Sequence, residues 1–510
     1  MKVNSSQMIT SNAATPVAYI TGLFKGKTPS TMQNKELVTL DQGLNGLITN
    51  SIQDEGFEGE LGKYLIFRTN ELPQKIVVVG LGDENEFNLD AVRRASVSGI
   101  RAANEVKAKT VVSSLHAYGN LSLYEAALEI TEASQSALYK FDKYQSNRKP
   151  NNIETLTIVA YDEKKLREIE AGIKRGDTIS KARTLARNIM NEPANYMTPI
   201  RLAATARQVA KENDLEIEVL DLDTCTEKYG MGAFKAVAQG SKEPPQFIII
   251  KYIPKDKPRK HIALVGKGVT FDSGGLSLKQ NDHMQDMRFD KGGAASVIAT
   301  MSLMKELQPD VAITAIVPAT ENMPGGSAMK LGDIVRAMNG KTIEILNADA
   351  EGRLILADAL SYAVSLGVDE IIDIATLTPE VALALGQSYT GLMSNNKELA
   401  NKIIAAGNKG GEEIRQLPLH DDYRDDIKSR HADIKNIGRT VMIGTLAGAQ
   451  AGAVFVENFV VDSKGNPTPW VHLDISGTGW PNIKLEERYG LADPPGVGVR
   501  TFANYLMDQT

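Results

Sequence analysis

The chain has 510 residues, of which 42% are hydrophobic and 24% are charged. These values are typical of folded globular proteins, so they exclude wholesale disorder and fibrous repeats, and the length suggests about three domains. The 57 basic and 63 acidic residues give a net charge of -6, which carries no overall signature of binding to nucleic acid or an anionic membrane.

Cysteine content and apolar runs predict the cellular compartment. The chain has one cysteine, Cys225, which excludes an intramolecular disulfide and a cysteine-rich zinc module. No run of about 18 apolar residues predicts a membrane-spanning helix, and residues 1–25 lack the apolar core of a secretory signal. We therefore expect a cytoplasmic protein without a membrane partner.

The first part of the chain alternates short β-branched runs with helical patterns, which is typical of a small α/β domain. Strands are predicted at residues 17–22, 75–80, 110–115 and 154–160, and helices at 90–106 and 124–139. We expect this N-terminal α/β domain to span residues 1–165.

Residues 162–191 are charged, contain many helix formers and no proline, and predict one long helix. The segment NEPANYMTP at 191–199 follows, and its two prolines mark the end of the helix. We expect residues 166–199 to connect the N-terminal domain to a second domain that spans residues 200–510.

The second part alternates between strand and helix patterns more strongly. Strands are predicted at residues 247–252, 261–265, 311–317, 342–346 and 370–374, and helices at 292–307 and 350–366. Because these strands are apolar throughout, we expect a sheet covered by helices on both faces. Ligands of open α/β sheets bind at the carboxyl ends of strands, so the segments after these strands are the candidates for chemistry.

Several well-known catalytic and binding motifs are missing from the sequence. It contains neither a GxSxG nucleophile elbow nor an HExxH zinc motif. The GKT triplets at 26–28 and 340–342 lack the earlier glycine of a phosphate-binding loop. Gly80 and Gly82 follow a strand, but position 85 is Asn85, so a strand-end turn is favoured over a dinucleotide site.

Two segments that follow predicted strands contain the residues of a candidate site. They are 265–293, with the motif GKGVTFDSGGLSLK, and 347–354, NADAEGRL, and their charged residues include Lys267, Asp272, Lys279, Asp290, Asp349, Glu351 and Arg353. Taken singly, each residue has an ordinary explanation as part of a tight turn, a helix N-cap or a solvated surface. Together, acids and cations recur in glycine-rich loops where backbones approach closely, which favours a shared site.

The carboxylates of these segments favour a site for hard divalent cations, which prefer oxygen ligands. Asp272, Asp290, Asp349 and Glu351 carry four negative charges, which two divalent cations would balance. Without a cation, clustered carboxylates repel one another and raise their own pKa values.

The motifs GKGVTFDSGGLSLK and NADAEGRL resemble the signature of the leucyl aminopeptidases, the cytosol aminopeptidases of peptidase family M17. The resemblance extends through residues 191–199, DKGGAA at 290–295 and residues 470–479, and it covers about residues 165–500. It implies a catalytic C-terminal α/β domain with a mixed sheet flanked by helices, hydrolysis of peptide substrates, and a homohexamer.

The resemblance also implies two divalent metal ions, Mn²⁺ or Zn²⁺, in one pocket. The tighter site would consist of Lys267, Asp272, Asp290 and Glu351. The more exchangeable site would consist of Asp272, Asp349 and Glu351. Two ions bridged by shared carboxylates can activate a water as a hydroxide nucleophile. A free N-terminal amine of the substrate would bind one ion, which makes the enzyme an exopeptidase.

Lys279 and Arg353 match the family's two catalytic positions. The resemblance implies that Lys279 stabilises the oxyanion of the attacked peptide carbonyl, and that Arg353 holds a bicarbonate that serves as general base. A lysine ligand such as Lys267 must be neutral, which costs about 4.6 kcal/mol at pH 7 for a pKa of ~10.4. Cation binding, on the order of 10 kcal/mol, offsets that cost.

Three further positions match the family's substrate cleft. Met287, Thr376 and Leu377 imply an apolar N-terminal side chain in the substrate, although ordinary core packing is an alternative for Met287. The chain departs from the family at Ala348, where threonine is usual, and at Pro379, where glycine is usual. Proline has no N–H to donate, so a backbone contact to the peptide from that position is not expected and the specificity stays open.

Three other functions stay open at this point. Carboxylate clusters also serve two-metal phosphoesterases. Some bacterial members of the family bind DNA as regulators, although the acidic balance of this chain does not favour nucleic acid as a partner. A pseudoenzyme used as a scaffold is disfavoured, because all seven expected charged positions are occupied.

Overall fold

The structure of the chain is a computed structural model, and it describes residues 1–6, 17–32, 35–69, 73–159, 163–441, 444–489 and 493–509. By its internal contacts the chain forms two compact units, Met1–Lys181 with Ile483–Ala492 and Ala182–Asn482 with Asp493–Thr510. The domain limits expected from the sequence, 1–165 and 200–510 with a connector between them, stay a prediction.

The elements of the described residues are as follows. The strands are β1 (Lys2–Ser6), β2 (Val17–Phe24), β3 (Tyr64–Arg68), β4 (Lys75–Gly82), β5 (Thr110–Ser114), β6 (Thr155–Val159), β7 (Glu216–Leu220), β8 (Gln246–Tyr252), β9 (His261–Gly266), β10 (Gly268–Asp272), β11 (Ala312–Asn322), β12 (Ile334–Arg336), β13 (Thr342–Glu344), β14 (Glu370–Ala375), β15 (Thr390–Ser394), β16 (Ile414–Gln416), β17 (Ile434–Lys435), β18 (Thr440–Val441), β19 (Gly444–Thr445) and β20 (Trp470–Asp474). The helices are α1 (Lys35–Gly43), α2 (Leu47–Asp54), α3 (Leu89–Glu105), α4 (Leu123–Ala137), α5 (Glu163–Asn191), α6 (Pro199–Glu212), α7 (Gly232–Ala238), α8 (Asn281–Met284), α9 (Gly292–Met301), α10 (Met304–Leu307), α11 (Gly352–Ser365), α12 (Pro379–Leu385), α13 (Lys397–Lys409), α14 (Asp421–Asp426), α15 (Gly448–Glu457), α16 (Ile483–Tyr489) and α17 (Val499–Met507).

The first unit is built on a sheet whose order, among the described residues, is β1-β6-β5-β2-β4-β3. Its strands pair in parallel except for β3, which is antiparallel to β4. Nearly every residue of β2 and β4 is buried, as expected for central strands covered on both faces. The predicted N-terminal α/β domain is confirmed.

Side chains at the N-termini of α3 and α4 explain where these helices begin. Asn88 accepts hydrogen bonds from the backbone N–H groups of Asp90 and Ala91. Ser122 accepts one from the N–H of Glu125. These caps satisfy N–H groups that have no partner within the helix.

The second unit contains the mixed sheet that the family resemblance implied. Its order among the described residues is β16-β15-β20-β14-β9-β11-β8-β7, and β10 pairs with β11. Strands β20, β14, β9, β11 and β10 are mutually parallel, whereas β15 and β8 are antiparallel to their central neighbours. Parallel strands direct their carboxyl ends to one edge of the sheet, where a ligand site is expected.

Helices cover this sheet in two groups. Both α9 and α11 contact β9, β11 and β14, but α9 also contacts α6 and α17, whereas α11 contacts α7 and α15. Every residue of α9 and most residues of α11 are buried, which matches helices that are apolar on all sides. Among the described residues, no helix combines the length and apolarity needed to span a membrane.

Most predicted elements are present, with ends that differ slightly. The strands predicted at 17–22, 75–80, 110–115, 247–252, 261–265, 311–317 and 370–374 correspond to β2, β4, β5, β8, β9, β11 and β14. The helices predicted at 90–106, 124–139 and 350–366 correspond to α3, α4 and α11. Residues 154–160 contain β6 and residues 162–191 contain α5, with Ala160 and Asp162 outside the described residues.

The prediction of one helix over residues 292–307 is wrong, because α9 and α10 are separated at Ser302 and Leu303. Ser302 Oγ donates to the carbonyl oxygen of Ala299 (2.6 Å). The N–H groups of Ser302 and Leu303 also bond to carbonyl oxygens three residues back. This tightened turn interrupts the α-helical hydrogen-bond ladder.

Candidate active site

The predicted site residues converge in the second unit, at the carboxyl ends of β9, β10, β11 and β14. The structure has a cavity of about 590 Å³ there. Its walls include nearly all the residues that the sequence singled out, namely Lys267, Asp272, Lys279, Met287, Asp290, Asp349, Glu351, Thr376 and Leu377. Arg353 is the exception, because it is buried and is not among the residues that line the cavity.

Lys267 is the residue between β9 and β10, and it joins several parts of the site. Its backbone N–H donates to the carbonyl oxygen of Ile374 (3.1 Å), which ties it to β14. Its Nζ lies 2.9 Å from Asp290 Oδ2 and 2.9 Å from Glu351 Oε1. The same Nζ donates to the carbonyl oxygen of Thr376 (2.9 Å).

Gly352, the first residue of α11, leaves room for the Lys267 side chain. A Cβ atom at Gly352 would lie 2.7 Å from Cε and 2.8 Å from Nζ of Lys267. Such distances are too short for unbonded atoms in a packed interior. The glycine of the NADAEGRL motif therefore has a packing role in the site.

Asp272 and Asn322 are paired in register at the ends of β10 and β11. Asn322 Nδ2 donates to Asp272 Oδ1 (2.8 Å) and to the carbonyl oxygen of Ala348 (3.1 Å). The N–H of Gly274 donates to the same Asp272 oxygen (2.9 Å). Asn322 therefore orients one candidate metal ligand and the loop that carries two others.

Asp290 follows a short 3₁₀ turn at Met287–Phe289 and is buried. Thr376 Oγ1 donates to Asp290 Oδ1 (2.7 Å). Since the backbone carbonyl of Thr376 also accepts from Lys267, this residue, predicted to line the substrate cleft, orients two members of the charged cluster.

Asp349 and Glu351 lie in the loop between β13 and α11. Strand β13 ends before the predicted residue 346, because the N–H of Leu346 donates to Asn436 Oδ1 (2.8 Å). Asn436 Nδ2 donates in turn to the carbonyl oxygen of Asn347 (2.6 Å). Glu351 occupies the N-cap position of α11 and is buried.

Lys279 lies in the loop after β10, and its ammonium bridges two carboxylates. Its Nζ is 2.8 Å from Asp272 Oδ2 and 2.6 Å from Asp349 Oδ1. Its backbone N–H donates to the carbonyl oxygen of Ser273 (3.0 Å). Lys267 and Lys279 therefore contact different pairs of carboxylates within one cluster.

The cluster fits a divalent cation. Asp272, Asp290 and Glu351 are buried, and each offers an oxygen that lies within 4.8 Å of the other two. Glu351 Oε2 is buried and has no hydrogen-bond partner in the part of the chain that the structure describes. Because an unpartnered buried carboxylate oxygen is costly, and because carboxylates suit hard cations, these residues match a metal site.

The crowding of like charges shifts the pKa values of the cluster. Burial raises the pKa of Asp290, and repulsion from Glu351 and Asp272 raises it further, whereas Lys267 opposes this change. Burial and neighbouring carboxylates likewise raise the pKa of Asp349 and of Glu351. Burial lowers the pKa of both lysines, but the carboxylates around them raise it more strongly. These directions are those expected of clustered carboxylates.

Arg353 is buried in the first turn of α11. Its Nη1 donates to the carbonyl oxygen of Asn436 (3.0 Å), while its Nε is buried without a hydrogen-bond partner among the described residues. Burial lowers the pKa of the guanidinium, whereas Glu380, Glu351 and Asp474 oppose this effect. An unpartnered guanidinium donor of this kind is suited to hold an anion.

Part of the cavity wall is apolar, and it consists of Leu278, Met287, Leu377, Pro379, Ala382, Trp480 and Pro481. Pro379 is the first residue of α12, a position where the missing N–H of proline costs no helical hydrogen bond. The Trp480 ring packs edge-on against Phe289, with ring centroids 5.8 Å apart. Such a wall fits an apolar side chain.

Sequence reasoning missed Asn322, Asn436 and Asp474, which hold the site in place. Asp474, the last residue of β20, accepts hydrogen bonds from the backbone N–H groups of Leu377 and Thr378. The place of Asn322 and Asp474 after buried apolar runs could have identified them, because such positions face the ligand-binding edge of a sheet. Asn436 carries no such signal, since it follows only the short strand β17.

Comparison with protein families agrees with this geometry. The family described as "Cytosol aminopeptidase family, catalytic domain" matches residues 184–503, and "Cytosol aminopeptidase family, N-terminal domain" matches residues 20–148. The probable cytosol aminopeptidase of Alkaliphilus oremlandii is 39% identical over 490 residues, which are 95% of either chain. That of Thermosynechococcus vestitus is 41% identical over 477 residues, which are 92% of either chain.

Two solved structures share the fold. A mutant of tomato leucine aminopeptidase matches with a TM-score of 0.87 at 31% identity, over 100% of this chain and 96% of that chain. The bottromycin maturation enzyme BotP in complex with Mn matches with a TM-score of 0.83 at 29% identity, over 97% of this chain and 99% of that chain. From its family matches and relatives, this chain belongs to the cytosol aminopeptidase family, M17, and is a peptide hydrolase of the leucyl aminopeptidase type.

Proposed function

We propose that this aminopeptidase releases N-terminal residues from peptides, preferentially apolar ones such as leucine, with two divalent cations in its carboxylate cluster. The observation that carries the proposal is the convergence of Asp272, Asp290 and Glu351, whose oxygens lie within 4.8 Å of one another in a cavity with an apolar wall. When bound, the cations would supply Lewis acidity, a means to activate water as a nucleophile, and a ligand position for a free amine. The Mn complex of the related BotP supports Mn²⁺, with Zn²⁺ as the alternative.

The side chains of the cluster would hold the cations in two overlapping sets. One set is Lys267, Asp272, Asp290 and Glu351, and the other is Asp272, Asp349 and Glu351. Lys267 must be neutral to act as a ligand. The carboxylates raise the pKa of Lys267, and positive charge that neutralises these carboxylates would remove this effect.

Lys279 would donate a hydrogen bond to the oxyanion that develops on the substrate carbonyl. Its ammonium belongs to the cavity wall and contacts Asp272 and Asp349, so a short side-chain movement would bring it to the substrate. Arg353 would hold a bicarbonate, which supplies a general base when bound. The unpartnered Nε of Arg353 supports this role.

The apolar wall would receive the side chain of the substrate's N-terminal residue. Met287 and Leu377 contribute side chains to this wall, and Thr376 fixes the chain beside them. Pro379 offers no backbone N–H to the peptide, so selectivity at this wall would depend on shape and apolar contact.

We expect purified enzyme with added Mn²⁺ or Zn²⁺ to hydrolyse Leu-p-nitroanilide and to lose this activity after dialysis against a chelator. The N-acetylated substrate should not be cleaved, because acetylation removes the amine that a cation would bind. p-Nitrophenyl phosphate, the substrate of the phosphoesterase alternative, should remain intact. Cleavage of the acetylated substrate together with inactivity on the free amine would contradict the proposal.

Replacement of Lys279 tests its proposed role directly. We expect Lys279→Ala to lower kcat by about 10²–10³, the range for the loss of one oxyanion donor. The exposed Lys330, which pairs with Asp333 away from the cavity, offers a matched control, and Lys330→Ala should leave kcat unchanged. Equal kcat values for the two variants would remove Lys279 from the catalytic residues.

The assembly and partners implied by the family resemblance stay predictions. We expect a homohexamer, which light scattering of the purified protein would measure, and a cytoplasmic location. A gel-shift experiment at low salt addresses the DNA-binding alternative, which predicts salt-sensitive retardation of DNA.

A further inference from the structure

Asp474 is fully buried and accepts hydrogen bonds from two separate stretches of the cavity wall. Leu377 lies after β14 and Ser476 lies after β20, and both contribute to the wall. Asp474 is hydrogen-bonded to both stretches, although it is not itself a lining residue. Its carboxylate is therefore a junction between two parts of the substrate cavity.

Each carboxylate oxygen of Asp474 accepts two hydrogen bonds. Its Oδ1 accepts from the backbone N–H groups of Leu377 (3.2 Å) and Ser476 (3.1 Å). Its Oδ2 accepts from the backbone N–H (3.1 Å) and the Oγ1 hydroxyl (2.6 Å) of Thr378. The backbone donors cannot turn away from the carboxylate, since the direction of an N–H group is fixed by the chain.

This geometry requires a carboxylate rather than an amide. A carboxylate accepts at both oxygens, whereas asparagine has one oxygen and one NH₂ group that only donates. In either orientation of an asparagine at position 474, the NH₂ group would face N–H donors. One of the two wall stretches would then have to move away.

We propose that Asp474 is a positioning residue that sets the places of Leu377 and Ser476 in the cavity wall, and thereby the selectivity for a large over a small N-terminal side chain. The inference rests on the proposed function, because that function assigns the wall to the substrate's N-terminal residue. Asp474 acts through the backbone of its neighbours and contacts no substrate atom itself.

Asp373 on the neighbouring strand β14 offers a matched control. It is also fully buried, and its oxygens accept from Trp470 Nε1 (2.6 Å) and contact His472 Nδ1 (2.5 Å). Neither of these partners lines the cavity. The two aspartates therefore share burial and chemistry but differ in whether their partners form the wall.

The experiment compares Leu-p-nitroanilide with Ala-p-nitroanilide for the wild-type holoenzyme and Asp474→Asn. We expect kcat/KM for the leucine substrate to fall about tenfold more than for the alanine substrate, the range for a lost apolar contact. The loss should lie mainly in KM, because the contact is made in ground state and transition state alike. Bound Mn²⁺ per chain should equal that of the wild type.

Two further variants separate positioning from a general loss of structure. Asp373→Asn should lower the melting temperature and leave the ratio of leucine to alanine kcat/KM unchanged. Thr378→Val removes only the hydroxyl donor to Asp474. It should lower the ratio of leucine to alanine kcat/KM, as Asp474→Asn does, but by a smaller factor. If Asp474→Asn does not fold, Thr378→Val alone tests the inference.

An unchanged ratio in Asp474→Asn and Thr378→Val would overturn the inference, as would an equal change in Asp373→Asn. These results leave the proposed function intact, because the wild type still cleaves both substrates. A wild type that cleaves neither substrate would overturn the proposed function, and the inference with it.

Discussion

Gly352 has no side chain, and this leaves room in the site for the side chain of Lys267. Gly352 stands where Lys267 passes toward Asp290 and Glu351, and it begins the helix whose N-cap is Glu351. Alanine is a better helix former than glycine, so a substitution there would not weaken α11 through its backbone. Its effect would come from the contact with Lys267.

We expect Gly352→Ala to raise the Kd for Mn²⁺ by about 10–100-fold, as is typical when residues behind a metal ligand are changed. The added Cβ would lie 2.8 Å from Lys267 Nζ and would displace it. Isothermal titration calorimetry measures the Kd. Gly326→Ala is the control, because a Cβ at Gly326 would have no atom of the described residues within 4 Å apart from Gly326 itself and its two chain neighbours. Equal Kd values in both variants would show that Lys267 tolerates the contact.

Single residues also show how far the sequence predicts the site. Asp272, Asp290 and Glu351 were identified from their charge and their place in glycine-rich loops, and the structure brings them together. The hydrogen-bond partner Asn436 could not be identified in this way. Its role depends on contacts between segments far apart in the chain, which no local pattern records.

At the scale of elements, α3 and α4 in the first unit are joined by a buried ion pair. Arg93 Nε donates to Glu129 Oε2 (2.6 Å) and Nη2 donates to Oε1 (3.0 Å). Both side chains are almost fully buried, with exposed fractions of 6% and 5%. A buried pair is costly to break, because the remaining charge has no solvent to stabilise it.

We expect Glu129→Leu to lower the free energy of unfolding by about 3–5 kcal/mol. The double variant Arg93→Met with Glu129→Leu should recover most of this loss, since neither charge of the buried pair remains. Urea unfolding of the variants measures both effects. The exposed pair Lys109–Glu154 gives the comparison, where Glu154→Gln should cost less than about 1 kcal/mol. A double variant no more stable than Glu129→Leu would contradict this explanation.

The elements themselves were predicted best where apolar β-branched runs are long and buried, as in β2, β4, β9 and β14. The break between α9 and α10 was missed, because the Ser302 side chain competes with the helix only through a local hydrogen bond. The early end of β13 was missed because Leu346 bonds to Asn436 instead of a neighbouring strand. Such competition between partners is not visible in periodicity.

For the whole molecule, His116 in the first unit provides a predicted response to acid. Its ring is fully buried, and neither nitrogen has a hydrogen-bond partner among the described residues. Burial lowers the pKa of His116 from 6.5 to about 4. The fold therefore favours the neutral ring, and the unfolded chain binds the proton first as the pH falls.

Because the pKa of His116 is lower in the folded chain than in the unfolded chain, we expect the free energy of unfolding to fall as the pH falls from 6.5 toward 4. The total loss should be about 3 kcal/mol. Above pH 6.5 the His116 ring is neutral in both the folded and the unfolded chain, so its contribution to the free energy of unfolding is constant there. Urea unfolding of the wild type and of His116→Leu across this range isolates the effect, because all other groups are common to both. Parallel pH profiles would contradict the prediction.

At the scale of the whole molecule, the sequence predicts that the site lies at the carboxyl ends of strands in the second part of the chain. Lys267 follows β9, Asp272 is the last residue of β10, and Thr376 and Leu377 follow β14. These parallel strands end at the same edge of the sheet. What strand order cannot predict is the distance between side chains, which depends on loops such as that from Asn347 to Glu351.

Thr376 has one more consequence, which concerns redesign of this enzyme. Thr376 belongs to the cavity wall. Its hydroxyl donates a hydrogen bond to Asp290, and its backbone carbonyl accepts one from Lys267. We therefore expect that a mutation of Thr376 made to accept new peptides would also disturb the proposed metal binding. Met287 and Ala382 belong to the same wall. Among the described contacts their side chains make no hydrogen bond to the charged cluster, although the backbone carbonyl of Met287 accepts one from the N–H of Asp290 (3.3 Å). Mutant libraries aimed at altered substrate range should begin with these two side chains.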